Sequence, residues 1–253
     1  MLLSIRGVSK NFGGVQAVDD VSFDVPRGSI KALIGPNGAG KTTLFNVISG
    51  FLPSDRGSVV FDGAEVGGLR PHQIADRGMT RTFQHTRLFP KMSVLENIMV
   101  GGHIHSRGEF LAGMLCMPFT RKEERRVREK CGNIMELLGL AGMADREATS
   151  LPYGRQRMVE LGRALACEPR ILLLDEPAAG LNLSETSEMG KLIVRIRDMG
   201  ITVLLVEHDM SIVMDISDEI VVLSSGQKIA EDKPLAIQRN GEVIRVYLGE
   251  DDA

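Results

Sequence analysis

The eight residues GPNGAGKT (35–42) constrain the fold of this chain more than any other stretch. They fit G-x-x-x-x-G-K-[ST] without exception. Before them lies SIKALIG, an apolar run of strand character, and after them TTLFNVISG, which reads as a helix ending at Gly50. Strand, glycine loop, helix is the context that a phosphate-cradling loop requires. Glycines let successive backbone N–H groups point into one concavity, and the helix N-terminus adds positive dipole. Gly35, Asn37, Gly38, Gly40, Lys41, Thr42 and Thr43 are therefore the expected nucleotide-binding residues. Lys41 can reach the β- and γ-phosphates, and the Thr42 hydroxyl can ligate Mg2+.

A second apolar run, ILLLDEP (171–177), ends in two carboxylates. Asp175, at the end of a buried strand beside a phosphate loop, is a candidate holder of Mg2+, directly or through water. Glu176 is the candidate general base for an attacking water. A third run, ITVLLVEHD, places His208 just beyond a strand, where ligands bind in open α/β sheets. Near-continuous apolar strands of this kind are buried on both faces, as in a parallel sheet. LSETSEMGKLIVRIRDMG reads as the helix between these two strands, and EIVVLSSGQKIAE as a closing hairpin. At the other end, LLSIRGV, VSFDV and SVVFDG read as strands.

The middle of the chain is helical in pattern. SVLENIMV (93–100) opens with Ser93 and Glu96 at capping-box spacing, and Thr120 with Glu123 marks a second helix start. Val127, Cys131, Ile134 and Leu138 then recur every three to four residues, and RKEERR supplies the solvated face. The expected organisation is one domain over 1–253. Its α/β core comprises 1–87 and 166–253, with a helical insertion over 88–165. The net charge of −3 leaves no bulk footprint for nucleic acid. Cys116, Cys131 and Cys167 fit neither a disulfide framework nor a zinc site, which points to a reducing cytosol. The start, MLLSIRGVSK, is too short in apolar residues for a signal peptide. FLAGMLCMPF (110–119) is about half the roughly 18 apolar residues of a spanning helix. Any membrane connection is expected to run through a partner, and this segment is one candidate for the contact surface, packing inside the helical region being the other.

Together these motifs resemble the ATP-binding subunit of ABC transporters over essentially the whole chain. The order is Phe12, GPNGAGKT, Gln84, the segment LPYGRQR (151–157), ILLLDEP, AAGLN (178–182) and His208. Within that family the chain is most similar to the LivG-type subunits of branched-chain amino acid importers, through GPNGAGKTTLFNVISGF, RTFQHTRLF, LDEPAAGLN and VIRVYLGE. The resemblance implies an α/β P-loop NTPase fold with a RecA-like core, an N-terminal antiparallel β subdomain and an inserted α-helical subdomain. It implies ATP and Mg2+ as ligands, with Phe12 on adenine, Gln84 joining Thr42 and Asp175 around the metal, and His208 steadying the γ-phosphate and the water. It also implies a second ATP-binding subunit (identical or different), integral-membrane permease subunits, and indirectly a solute-binding protein, at the cytoplasmic face of the inner membrane.

LPYGRQR departs from the usual family signature L-S-G-G-Q-[QR]-[QR]. Leu151, Gly154, Gln156 and Arg157 match; Pro152, Tyr153 and Arg155 do not. Such a signature faces the phosphate held by the other subunit, so Tyr153, Gly154, Arg155 and Gln156 are expected to act in trans. Pro152 offers neither hydroxyl nor N–H, which removes one contact worth about 1–3 kcal/mol if charge-assisted. It is compatible with a helix start, and Tyr in the first glycine position fits the LivG-like branch. The site is thus either altered but active, or weaker than its counterpart. Glu176 argues against a purely regulatory nucleotide binder. Other readings are an ATPase for a different solute (another amino acid, urea or lipopolysaccharide), a soluble ABC ATPase, and a P-loop kinase or GTPase.

Overall fold

The structure, a computed structural model, describes residues 1–84, 87–102 and 118–248, and only the backbone of 118–124 and Leu248. Two sheets stand side by side. The first is antiparallel, in the order β2-β1-β4-β5. β1 (Leu3–Phe12) and β2 (Val15–Val25) form its hairpin, closed where Phe12 faces Val15. β4 (Arg56–Phe61) pairs with β1 and with the short β5 (Ala64–Glu65).

The second sheet has the order β10-β9-β3-β8-β7-β6. β3 (Ile30–Ile34), β6 (Met79–Arg81), β7 (Ile171–Asp175), β8 (Thr202–Val206) and β9 (Glu219–Ser224) run parallel. β10 (Gln227–Asp232) returns antiparallel on β9, the expected closing hairpin. Every residue of β3, β7 and β8 is buried, because both faces of the sheet are covered. The period-2 alternation sorts them into two cores. Leu172, Leu174, Val203 and Leu205 face one, with Ile98 and Val159. Ile171, Leu173, Leu204 and Val206 face the other, with Phe23, Phe45 and Phe61. Each such Leu or Ile contributes about 1.5–3 kcal/mol by leaving water. Register sets Leu33 and Asp175 on either side of Val206. The loops after β3, β7 and β8 therefore emerge together at one sheet edge, where open α/β folds hold ligands.

Helix α1 (Lys41–Ile48) follows β3, α2 (Pro71–Ala75) precedes β6, and α3 (Val94–Gly102) opens as expected. There Ser93 N–H donates to Glu96 Oε2 at 2.7 Å, and Glu96 N–H donates to Ser93 Oγ at 3.2 Å. Helix α4 spans Pro118–Leu137, so it starts before Thr120 and that residue is not its cap; the side chains of Thr120 and Glu123 lie outside the described residues. The amphipathic stripe is as expected: Cys131 and Leu138 are buried, with Val127 and Ile134 packed on the same core. Residues 110–117, and with them most of FLAGMLCMPF and Cys116, lie outside the described residues. Helices α5 (Tyr153–Ala166), α6 (Leu183–Asp198), α7 (Met210–Ile216), α8 (Pro234–Gln238) and α9 (Gly241–Leu248) complete the order. No helix among the described residues is long and apolar enough to cross a membrane. Cys131 and Cys167 are both buried, and burial pushes each thiol pKa up to about 11.

Candidate active site

The loop between β3 and α1 is shaped by close approach. A Cβ on Gly35, at φ +152°, would lie 2.2 Å from Leu223 O, and one on Gly40, at φ +96°, 2.3 Å from Ala17 O. Only glycine fits either place. Lys41 is buried, and its ammonium donates to Gly35 O at 2.6 Å and Pro36 O at 2.9 Å. Burial lowers its pKa, while the charges of Glu176 and then Asp175 oppose that shift. The lysine is thus within electrostatic reach of both carboxylates at the end of β7. Asn37, Gly38 and Thr42 are exposed on the loop and the first turn of α1, and Thr43 is half-buried behind them.

Glu176 is the centre of the arrangement. Its backbone turns out of β7 at φ +49°, an uncommon conformation for a residue with a side chain. Its N–H donates to Val206 O at 2.9 Å, which fixes that turn against β8. One carboxylate oxygen accepts from Gln84 Nε2 at 2.7 Å, and the other lies 2.8 Å from His208 Nε2. Gln84, from the loop after β6, and His208, from the loop after β8, thus meet on one carboxylate. His208 is oriented by Glu207, whose buried carboxylate accepts the N–H groups of Ala178 at 2.7 Å and His208 at 2.9 Å. Burial raises the Glu207 pKa, and the neighbouring Glu176 raises it further.

Asp175 is tied to a residue that sequence reasoning missed. Arg81, at the end of β6, contacts Asp175 Oδ2 at 2.7 Å, and both side chains are 6% exposed. The same guanidinium donates to Asn46 Oδ1 at 2.7 Å and Ser49 Oγ at 2.9 Å on α1, and lies over the rings of Phe45, Phe51 and Phe83. It therefore locks β6, β7 and α1 together. Thr42, Gln84 and Asp175 offer only hydroxyl, amide and carboxylate oxygens, and Gln84 spends its amide nitrogen on Glu176. Hard oxygen donors with one carboxylate suit Mg2+ completed by phosphate oxygens. Among the described residues no cluster of three or more His, Cys, Asp or Glu could hold a metal by itself.

Phe12 ends β1 and is 47% exposed, with Lys10 Nζ 5.7 Å from its ring centroid. Its hairpin reaches the phosphate loop through Ala17, the neighbour of Gly40.

LPYGRQR begins a helix as expected: Pro152 is the N-cap of α5, without a side-chain cap bond. Its carbonyl accepts from Arg155 N–H at 2.9 Å and Gln156 N–H at 3.0 Å. Gln156 folds back, donating to Leu151 O at 2.8 Å and Thr149 O at 3.1 Å, and so pins the entry turn. Arg155 donates to Gly139 O at 3.0 Å, beyond the end of α4, which spends part of the guanidinium on that carbonyl. The half-exposed Tyr153 ring lies against the 178–182 loop, 3.1 Å from where a Cβ on Gly180 would stand. Arg157, matched to the signature but given no role from sequence, is 4% exposed and bonds the loop that carries Gln84. The charged pair Arg157 and Glu160, at i,i+3 on a buried helix face, was the available signal; Arg81 ends a three-residue strand that carries none.

The profile of the ABC transporter family matches residues 18–179, and that of the branched-chain amino acid ATP-binding cassette transporters matches residues 227–253. The high-affinity branched-chain amino acid transport ATP-binding protein BraF of Pseudomonas aeruginosa is 45% identical over 98% of both chains. LivG of Escherichia coli, of the same description, is 43% identical over 98% of both. The crystal structure of the ADP conformation of MJ1267, an ATP-binding cassette of an ABC transporter, superposes with a TM-score of 0.86 at 34% identity, covering 98% of this chain and 99% of the other. With the fold, the family profile and relatives of this identity along nearly its whole length, the chain belongs to the ATP-binding cassettes of ABC transporters.

Proposed function

We propose that this chain is the ATP-binding and ATP-hydrolysing subunit of an importer for branched-chain amino acids, acting at the cytoplasmic face of the inner membrane. The observation that carries the reading is Glu176, held between Gln84 and His208 and within electrostatic reach of Lys41. That is the constellation a phosphoryl-transfer site needs: a cradle, a cation and a base in line with water. The phosphates lie along Gly35–Thr43, with Lys41 leaving its two carbonyls to meet them, and adenine stacks on the exposed Phe12. Thr42, Gln84 and Asp175 would hold Mg2+, directly or through water, and the ion would neutralise charge at the phosphate oxygens. Glu176 accepts the proton of the attacking water, and His208 holds the carboxylate and the γ-phosphate edge.

A second ATP-binding subunit presents its nucleotide to Tyr153, Gly154, Arg155 and Gln156. Residues 1–87 and 166–253 serve as the catalytic core and 88–165 as the helical lobe. The permease subunits dock where a groove of about 340 Å³, lined by Phe51, His72, Met79, Phe83 and Arg163, adjoins the Gln84 loop. An occupant of that groove touches Phe83, next in sequence to the residue that grips Glu176. The solute-binding protein is engaged only through the permease. The similarity of both relatives and of the C-terminal profile to branched-chain amino acid systems supports the choice of solute.

The test is uptake of radiolabelled leucine, isoleucine and valine in cells lacking this subunit. Expression of the parent chain is expected to restore uptake, and Lys41→Ala to leave it at background. Restored uptake of a different solute class, with no branched-chain uptake, contradicts the reading.

A further inference from the structure

Arg157 stands in helix α5 one turn beyond Tyr153, and it joins that helix to the segments that follow β6 and β7. Nη1 donates to Phe83 O at 2.8 Å, and Nη2 donates to Gln84 O at 2.6 Å and reaches Glu176 O at 3.4 Å. The three acceptors are main-chain carbonyls of the residue gripping the Glu176 carboxylate, of its neighbour, and of Glu176 itself. The guanidinium is kept in place from both sides. Glu160 Oε2 lies 3.6 Å from Nη1, and Glu160 Oε1 accepts the Phe83 N–H at 3.3 Å. The Tyr153 ring lies 5.5 Å from Cζ. Both Arg157 and Glu160 side chains are 3% exposed.

A planar fork of five donors can serve several carbonyls at once while holding a fixed orientation, which a lysine ammonium cannot reproduce. Burial also strengthens these bonds relative to water. Helix α5 therefore cannot shift at its first turn without moving the carbonyls of Gln84 and Glu176. A second contact runs in parallel, since the Tyr153 ring packs on Gly180 four residues past Glu176.

We propose that Arg157 is a positioning residue that fixes the Gln84–Glu176 pair and transmits its state to the start of helix α5. The proposal rests on the function proposed above, in which that helix start serves the nucleotide of the second subunit. Arg157 then links the hydrolytic residues of one nucleotide site to the phosphate contact of the other. The phosphate loop itself makes no bond with Arg157, so nucleotide affinity is governed elsewhere.

The experiment compares Arg157→Gln and Arg157→Lys with the parent in the complete transporter, measuring kcat and KM for ATP and binding of a fluorescent ATP analogue. Arg157→Gln is expected to lower kcat about 10- to 100-fold, the loss of two to three buried bonds, with KM and analogue affinity within about twofold. Arg157→Lys keeps charge and length and is expected to restore only part of the rate. Because Arg157 acts through Gln84, adding Gln84→Ala to Arg157→Gln is expected to cost less than the product of the two single effects. If Arg157→Gln fails to fold, Arg157→Lys decides alone, with a kcat loss of at least about threefold at unchanged KM expected. Parent-like kcat in Arg157→Lys, equal losses in affinity and rate, or multiplicative effects with Gln84→Ala overturns the proposal while leaving the ATPase reading intact. A parent complex that hydrolyses no ATP overturns the ATPase reading and the proposal with it.

Discussion

His208 Nε2 lies 2.8 Å from Glu176 Oε1, while Gln84 holds the other oxygen of the same carboxylate at 2.7 Å. A carboxylate gripped at both oxygens has a fixed orientation, and its turn at φ +49° is held by a bond to β8. His208→Ala removes one grip and leaves the phosphate loop untouched. Steady-state assays are expected to give kcat about 10- to 100-fold below the parent, with KM for ATP little changed. A rise in KM at constant kcat would mean that His208 serves nucleotide binding instead.

The Arg81–Asp175 pair is buried at both ends. Arg81→Met leaves the Asp175 carboxylate without its cation, and breaking a buried pair in this way costs about 3–5 kcal/mol. For a chain of this size, that corresponds to a fall in Tm of roughly 6–20 °C. Thermal unfolding by circular dichroism measures it; a shift below about 3 °C would show that the pair contributes little.

At Glu207, burial lifts the carboxyl above its ordinary value of 4.5, against the pull of three backbone amides. Between 4.5 and the lifted value, the folded chain keeps a proton that the unfolded chain has released. This group's contribution to stability is therefore full below 4.5 and is lost as pH rises through that window. Glu207→Gln cannot ionise. The Tm of the variant minus that of the parent is expected to grow more positive as pH rises from 4.5. A difference independent of pH would contradict the assignment.

Pro152 caps helix α5 without a side-chain bond, and Gln156 pins the turn before it. Pro152→Ser adds a hydroxyl at the helix start without disturbing Gln156. In the complete transporter, the ATPase rate is expected to rise by up to about fivefold, the value of one hydrogen bond of about 1 kcal/mol. An unchanged rate would show that the helix start works without a hydroxyl there.

Much of this architecture was legible in the sequence because it rests on strong local signals. GPNGAGKT announced its own strand and helix, and three apolar runs of strand length gave β3, β7 and β8. Candidate residues from four separate segments then converge at one sheet edge, with Gln84, Glu176 and His208 in direct contact. What stayed hidden is non-local. β6 spans only Met79–Arg81, too short for a period to register. Arg81 pairs with Asp175, 94 residues away, and although Arg157 has Glu160 beside it at i+3, its bonds to the carbonyls of Phe83 and Gln84 span 74 and 73 residues, which no local spacing marks. Arg155 also donates to the carbonyl of Gly139, 16 residues away, a contact that no motif marks. The α4 start was misplaced at Thr120 because a capping-box spacing was read at a residue that lies inside the helix.

The central claim is that Glu176 is the base for ATP hydrolysis. Glu176→Gln keeps the shape and one of the two accepting oxygens but cannot accept a proton. ATP hydrolysis and ATP retained after gel filtration, measured on the same preparation, test it directly. Hydrolysis is expected to fall about 10²- to 10⁴-fold while ATP remains bound. Hydrolysis at the parent rate would contradict the claim.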